Sequence, residues 1–340
     1  MRPRLKDIAR ECNVDVATAS RALNEAYGVH KETRAKVLAA AARLNYRPNR
    51  MAKGLATGRS HSLAMVVSDI RNPFFAELAR GAEDAAYQAG YDLVLCNSDL
   101  SPSKQMRYIH SLLEKRVEGI LMNSVAGLSA AEQQELSGSG VPIVLLNRPA
   151  ASVRGFSTVL ADNFEGGYLA GSYLTQCGHR VLGHLTGPRE HGNLTERAKG
   201  FQKAVEEAKG TVVILRGDHS SEGAYEMMKK LLSQRKDVTA VFAANDAMAF
   251  GALRATFESG LGVPEDISMV GFDNVELAGI IRPPLTTVQQ PKYEMGHAAV
   301  EILLRQAARP ESSTPEHRLL EVKLVVRESS RALKTKGRNS

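Results

Sequence analysis

No stretch of this 340-residue chain approaches the roughly 18 consecutive apolar residues that a bilayer-spanning helix requires, so no membrane partner is expected. The opening MRPRLKDIAR runs straight into an amphipathic pattern without an apolar h-region; no secretory signal is expected, and the chain is assigned to the cytoplasm. Cysteine is scarce. Cys12, Cys96 and Cys177 are odd in number, far apart and outside any C-x-x-C or histidine spacing, which argues against a disulfide framework, a zinc centre or a redox pair and makes them core residues in a reducing compartment. Also missing are a G-x-S-x-G elbow, a P-loop, an H-E-x-x-H pair and a G-x-G-x-x-G placed after a first strand. No enzyme activity, cofactor or metal is therefore expected, and His179 and His184 in GHRVLGH read as packing or surface groups.

What is present is ordinary for a globular protein: 43% hydrophobic and 24% charged residues, over a length that suits two or three units. The charge is unevenly spread. Residues 1–60 carry thirteen Lys/Arg against five Asp/Glu, a surplus larger than the +7 of the whole chain. The basic character is local, and a polyanion is the expected partner for that end.

That end is organised around LKDIARECNVDVATASRALN, residues 5–24. Leu5, Ile8, Ala9 and Cys12 recur at helical spacing and predict a short helix with one buried stripe. Asn13 tolerates the left-handed conformation of a tight turn, and Asp15 can cap a second helix starting near Val16. Ala19, Ala22 and Leu23 share the inner face of that helix, while Val16, Ala17, Ser20 and Arg21 look outward. Such a pair is either a plain helical hairpin or a helix-turn-helix presenting its second helix to the DNA major groove; the local basic charge favours the latter. A third helix is predicted over 32–45, with Val37, Leu38, Ala41 and Leu44 buried.

Together with ETRAKVLAAAARLNYRPN and MAKGLATGRS, this stretch resembles the N-terminus of the lactose repressor/galactose repressor (LacI/GalR) family of bacterial transcription regulators, and the resemblance extends to about residue 329. It implies a headpiece over 1–46, a hinge segment over 47–59, and a two-lobed core over 60–330 like that of periplasmic sugar-binding proteins. The hinge contains Gly54 and is too short to be stable alone. In the family such a segment folds on operator DNA and inserts a leucine, here Leu55, into the minor groove, and the Val16-Ala17 pair goes with operators centred on a C·G step. Val16, Ala17 and Arg21 are expected to read base edges, and Ser20, Asn24 and Arg50 to hold phosphates. His30 stands where the family usually has a serine that would cap the third helix.

After Gly58 the pattern becomes apolar runs alternating with helical stretches, an α/β architecture of two doubly wound parallel sheets. One lobe is expected over about 60–160 with 291–320, the other over 161–290 with 321–330. The segment 331–340 is expected to be a solvated basic tail; lacking a leucine heptad, it points to a homodimer rather than a tetramer.

In open α/β sheets ligands bind beyond the carboxyl ends of the strands. There the sequence places Asn72-Pro73-Phe74-Phe75, Asn147-Arg148, Asp218-His219, Asn245-Asp246 and Asp273. Amides, carboxylates and arginine pair with vicinal hydroxyls, and aromatic faces cover a sugar ring. Several have plainer explanations: Asn72-Pro73 as a turn, Phe74 or Phe75 as core, Asp246 as a helix cap leaving Asn245 free for the cleft. Arg197 is read as opening a helix, where a cation opposes the dipole and so should face an anion or a ligand oxygen. The resemblance implies that Asn72, Phe74, Phe75, Arg148, Arg197, Asn245, Asp273 and Gln290 line a sugar site. It departs at Asn147, an aspartate in ribose-binding relatives, and at His219, commonly an aromatic that stacks on the ligand.

These observations imply a DNA-binding transcription regulator, a repressor, that reads a near-palindromic operator as a homodimer under control of a small sugar or sugar derivative. A purine- or nucleoside-responsive regulator is the alternative within the class. A transport receptor would share the lobes but not the basic headpiece.

Overall fold

The computed structural model describes residues 3–24, 27–46, 59–123, 128–147, 155–189, 191–308 and 314–333. The chain divides into two units, Met1–Ser60 and His61–Ser340.

In the first unit, α1 (Leu5–Cys12), α2 (Val16–Leu23) and α3 (Lys31–Arg43) pack around Ile8, Ala19, Ala22, Val37 and Ala40. Asn13 ends α1 in the left-handed region at φ 53°, as a tight turn after a helix requires. Asp15 caps α2, accepting the Thr18 N–H at 2.7 Å. His30 makes no side-chain cap to α3. Leu38, expected inside, is 47% exposed. The buried row runs Val37, Ala40, Ala41, at helical spacing from one another, and Leu38 lies about 100° round the helix from Val37.

The second unit holds two six-stranded sheets. The first is built from β1 (Ser62–Val67), β2 (Asp92–Asn97), β3 (Ile120–Met122), β4 (Ile143–Leu146), β5 (Ser157–Ala161) and β11 (His317–Leu320), ordered β11-β5-β4-β3-β1-β2 with every pair parallel. The second comprises β6 (Val181–Thr186), β7 (Thr211–Arg216), β8 (Ala240–Ala243), β9 (Ser268–Asp273), β10 (Thr286–Gln289) and β12 (Lys323–Val325), ordered β12-β10-β9-β8-β6-β7, with only β12 antiparallel. The central strands β1, β4, β8 and β9 are buried along nearly their whole length, as strands covered by helices on both faces must be. The strand order reverses between β1 and β3 and again between β6 and β8, and crevices for ligands form at such switch points.

The helices are α4 (Phe74–Gln88), α5 (Pro102–Glu114), α6 (Ala130–Gly138) and α12 (Lys292–Ala308) with the first sheet, and α7 (Asn163–Gln176), α8 (Gly192–Glu207), α9 (Ser221–Gln234), α10 (Asp246–Glu258) and the short α11 (Glu276–Ile280) with the second. The chain passes between the lobes three times, after β5, after β10 and after β11. Helix pairs α4/α12 and α7/α8 approach backbone to backbone. A methyl added at Gly81 would strike the carbonyl of Tyr293, and one at Gly167 the carbonyl of Arg197. Each fully buried large side chain, Phe201, Phe242 and Phe272 among them, contributes about 1.5–3 kcal/mol.

Three further expectations are corrected. The cysteines are half-buried rather than core. Helix α8 begins at Gly192, so Arg197 lies in its second turn and does not open it. The first residues of the supposed tail are docked: the Arg331 N–H donates to Ser268 Oγ at 3.2 Å and the Leu333 N–H to the Cys177 carbonyl at 2.7 Å. Among the described residues no helix is long and apolar enough to cross a membrane.

Candidate functional site

In the first unit the outward face of α2 carries the residues expected to meet DNA. Val16, Ala17, Arg21 and Asn24 are exposed, and Ser20 is partly so. Arg21 Nε makes a long 3.4 Å bond to the Ala17 carbonyl, and Asn24 Nδ2 donates to Ser20 O at 2.9 Å. The face presents small apolar groups and one guanidinium, a chemistry suited to a thymine methyl and to guanine O6/N7. Two hydrogen bonds from Thr18, side chain and backbone, hold the Asp15 carboxyl below its usual range, so the cap stays ionised at the positive end of α2. Arg50 and Leu55 lie outside the described residues.

In the second unit a cavity of about 440 Å³ opens at the carboxyl ends of the strands of both sheets. From the first lobe, the β1 exit supplies Ser68, Asp69, Arg71 and Asn72, then Phe74 and Phe75 at the start of α4. Asn72 both turns the chain, accepting the Phe74 N–H at 3.0 Å, and lines the cavity. Phe74 and Phe75 meet edge to face with centroids 5.1 Å apart; each is nearly buried and lines the cavity as well. Asn123 follows β3 and Asn147 follows β4. Asn147 sits at φ 56°, and its buried Oδ1 has no partner among the described residues. Arg148 lies outside them.

The second lobe brings Arg197, His219, Asn245, Asp273 and Gln290 to the same cavity. Arg197 is 3% exposed. Its Nε donates to Asn163 Oδ1 at 2.8 Å and its Nη1 to the Ala244 carbonyl at 2.5 Å, and Asp273 Oδ1 lies 3.9 Å away. Burial pulls its pKa down to about 10, against the opposing pull of Asp273 and Asp246. Asp273 takes a 2.5 Å bond from Gln290 Nε2, and burial raises its carboxyl despite Arg197. Gln290 Oε1, like Asn147 Oδ1, is buried without a partner among the described residues.

The expectation for Asn245 and Asp246 is reversed. Asn245 is the cap of α10, accepting the Met248 N–H at 2.7 Å, and it still lines the cavity. Asp246 is wholly buried beneath, bonded to the Val275 N–H at 2.9 Å and Thr287 Oγ1 at 2.6 Å. Burial, then the neighbouring Asp273, push its carboxyl up to about 8. His219 lies 5.0 Å ring to ring from His191, and burial lowers its pKa against the pull of Asp218 and Asp69.

Sequence reasoning had not singled out Ser68, Asp69, Arg71, Asn123 or His191. The first four lie within a few residues after β1 or β3, the signal already used for Asn72. His191 follows β6 at the same distance as Asn72 follows β1, so the same signal reaches it as well.

The cavity thus gathers acceptor oxygens, one buried guanidinium and an aromatic pair, the complement of a small ring bearing hydroxyl groups. Among the described residues no cluster of three metal-ligating side chains exists.

Comparison with known proteins agrees with both units. The model of bacterial regulatory proteins of the lacI family matches residues 4–49, and that of a periplasmic binding protein-like domain matches residues 172–330. The HTH-type transcriptional repressor PurR of Haemophilus influenzae (strain PittEE) is 35% identical over 336 residues, 97% of this chain and 99% of the relative. PurR of Photobacterium profundum is 38% identical over 340 residues, again 97% and 99%. The lac repressor dimer bound to operator and the anti-inducer ONPF superposes with a TM-score of 0.87 at 29% identity, covering 98% of this chain and all of that one. A LacI family regulator from Enterococcus faecium with bound ribose gives 0.73 at 32% identity, over 80% of this chain and all of that one.

Proposed function

The chain belongs to the LacI family of DNA-binding transcriptional repressors, and on that premise we propose that it binds a near-palindromic operator as a dimer, with that binding set by a small polyhydroxylated effector, a sugar or sugar derivative, held in the cleft of the second unit. Two headpieces related by a two-fold axis read two half-sites, with Val16, Ala17 and Arg21 at base edges and Ser20 and Asn24 at phosphates. Arg50 adds a phosphate contact and Leu55 a minor-groove wedge. The effector shifts the protein between DNA-competent and incompetent states by its difference in affinity for them.

The observation that carries the effector class is the pair of buried acceptors without a partner among the described residues, Asn147 Oδ1 and Gln290 Oε1, which line the same cavity as Asp273. A buried acceptor left unpaired costs about 1–3 kcal/mol, which a hydroxyl donor recovers. Arg197, Asn245, Asn72 and His219 supply further polar contacts, and Phe74 and Phe75 cover an apolar face. Ribose in the Enterococcus faecium regulator agrees in chemistry. A purine is the second candidate, favoured by the aromatic pair Phe74 and Phe75 lining the same cavity as Arg197.

A thermal-shift panel of pentoses, hexoses, their phosphates, purines and nucleosides tests the class, since a ligand that binds only the folded state raises the midpoint. A response confined to purines overturns the sugar assignment. Operator binding is tested by selection from random duplexes. If the full chain shows no salt-sensitive preference for any palindrome, the regulatory assignment fails.

A further inference from the structure

Asp273 and the residue after it hold unusual backbone conformations, φ 115° at Asp273 and φ 50° at Asn274. Neither is glycine, and such conformations persist only where the surroundings over-determine them. The restraint comes from the segment that crosses to the other lobe. Lys292, the first residue of α12, is 7% exposed and turns its ammonium back into the second lobe, donating to the carbonyl of Asp273 at 2.6 Å and that of Asn274 at 3.0 Å. Two residues earlier, Gln290 holds the Asp273 carboxylate at 2.5 Å. From the other side the Asn274 N–H reaches Thr287 Oγ1 at 3.3 Å, and Arg327 Nη2 reaches Asn274 Oδ1 at 2.7 Å.

The helix that begins with this lysine belongs to the first lobe. Tyr293, next in sequence, donates from its hydroxyl to Asp84 Oδ2 of α4 at 3.0 Å, and its carbonyl fills the space where Gly81 lacks a side chain. Helix α4 opens with Phe74 and Phe75, which line the cleft opposite Asp273. One buried cation therefore joins the strained turn bearing an effector carboxylate to the helix bearing the aromatic wall.

We propose that Lys292 is a positioning residue that fixes the Asp273-Asn274 turn to the crossing into α12, so that the effector groups of the two lobes shift together. The inference rests on the cleft being the effector site, but the link itself is a property of the free protein. A long apolar side chain at 292 fills the space without the two carbonyl bonds.

The test is amide hydrogen exchange on the full chain, comparing wild type with Lys292→Met and Lys292→Arg. The informative amides are Asn274 and Val275 in the turn, and Phe75 and Ala76, which donate to Asn72 and Pro73 in the first turn of α4. The expected result is faster exchange in Lys292→Met, tenfold or more in the turn and severalfold at Phe75 and Ala76, with Lys292→Arg close to wild type. Loosening of the turn while Phe75 and Ala76 keep wild-type exchange overturns the proposal, and so does unchanged exchange at both places.

Should Lys292→Met fail to fold, because it leaves buried carboxylates short of a cation, the same comparison is made between Asp273→Asn and the double variant Asp273→Asn/Lys292→Met, which removes one charge of each sign. The second arm uses whichever panel compound moves the wild-type operator affinity most. Lys292→Met is expected to bring the ratio of operator affinities with and without that compound at least fivefold closer to one, at saturating compound; an unchanged ratio overturns the proposal. If no compound moves the wild type, the effector assignment fails on its own, and the exchange comparison still decides the link.

Discussion

The guanidinium carbon of Arg197 lies 3.6 Å from the centroid of the Phe272 ring, stacked on it while its nitrogens reach Asn163 and the Ala244 carbonyl. A lysine reproduces the charge but neither the flat stack nor the forked bonding. Arg197→Met leaves buried Asp273 with Lys292 as its remaining nearby cation, an expected loss of about 3–5 kcal/mol and roughly 10 °C in melting midpoint for a unit of this size. Arg197→Lys is expected to fold with a smaller loss yet to bind effector weakly. Calorimetric melting and the ligand panel, run on both variants, separate the two effects.

The buried carboxyl of Asp246, raised to about 8, gives a pH signature. Between the ordinary aspartate range near 4 and pH 8 the folded state holds a proton that the unfolded state has released. Stability from this group is therefore greatest at the acid end, declines as pH rises through that window, and is level above it. Asp246→Asn, neutral throughout, removes this slope. Urea unfolding between pH 5 and 8 should show wild type losing more stability with rising pH than the variant does; parallel curves would contradict it.

Gly167 faces the Arg197 carbonyl so closely that a methyl group cannot enter. Gly167→Ala must push α7 from α8, carrying Arg197 out of register with Asp273. The helix-propensity gain of about 1 kcal/mol from replacing glycine is expected to be outweighed, giving lower stability together with weaker effector binding. Thermal unfolding with and without the bound compound checks both.

On the headpiece, Arg21→Ala is expected to cost about 1–3 kcal/mol against the selected operator and to relax preference at one position of each half-site. Asp15→Ala, which removes the cap of α2, should weaken binding to all duplexes by a similar factor, since it costs about 1 kcal/mol of helix stability without touching a base. Competition binding against single-position operator variants tells the two patterns apart.

The alternation of apolar runs and amphipathic helices made the two sheets readable from the sequence, because strands covered on both faces are unbroken in hydrophobicity. Strand β11, HRLL at a sheet edge, lacks that signature and went unseen. Helix α7 is masked by Gly166, Gly167 and Gly171, which lower helix propensity; Gly167 and Gly171 permit its close approach to α8, and Gly166 its approach to Phe272 of β9. The cleft residues after strands were legible in type, because strand ends converge by topology. What failed was discrimination within adjacent pairs: Asn245 rather than Asp246 takes the cap, since the extended backbone at 245, φ −152°, aims its side chain at the helix while 246 turns inward. Leu38 failed for a related reason, its apolar character carrying no information about which side of α3 it occupies.

Each lobe of the sensor is assembled from separated pieces of chain, and the first sheet is completed only by β11, at residues 317–320. The three-helix headpiece, by contrast, is contiguous and ends before residue 50. A ribosome therefore releases a finished DNA reader hundreds of residues before the receiver of the chemical message can close. A nonsense mutation in that interval is expected to yield a fragment deaf to the effector. Premature termination in such a gene is thus expected to strip away responsiveness while the single headpiece can still fold.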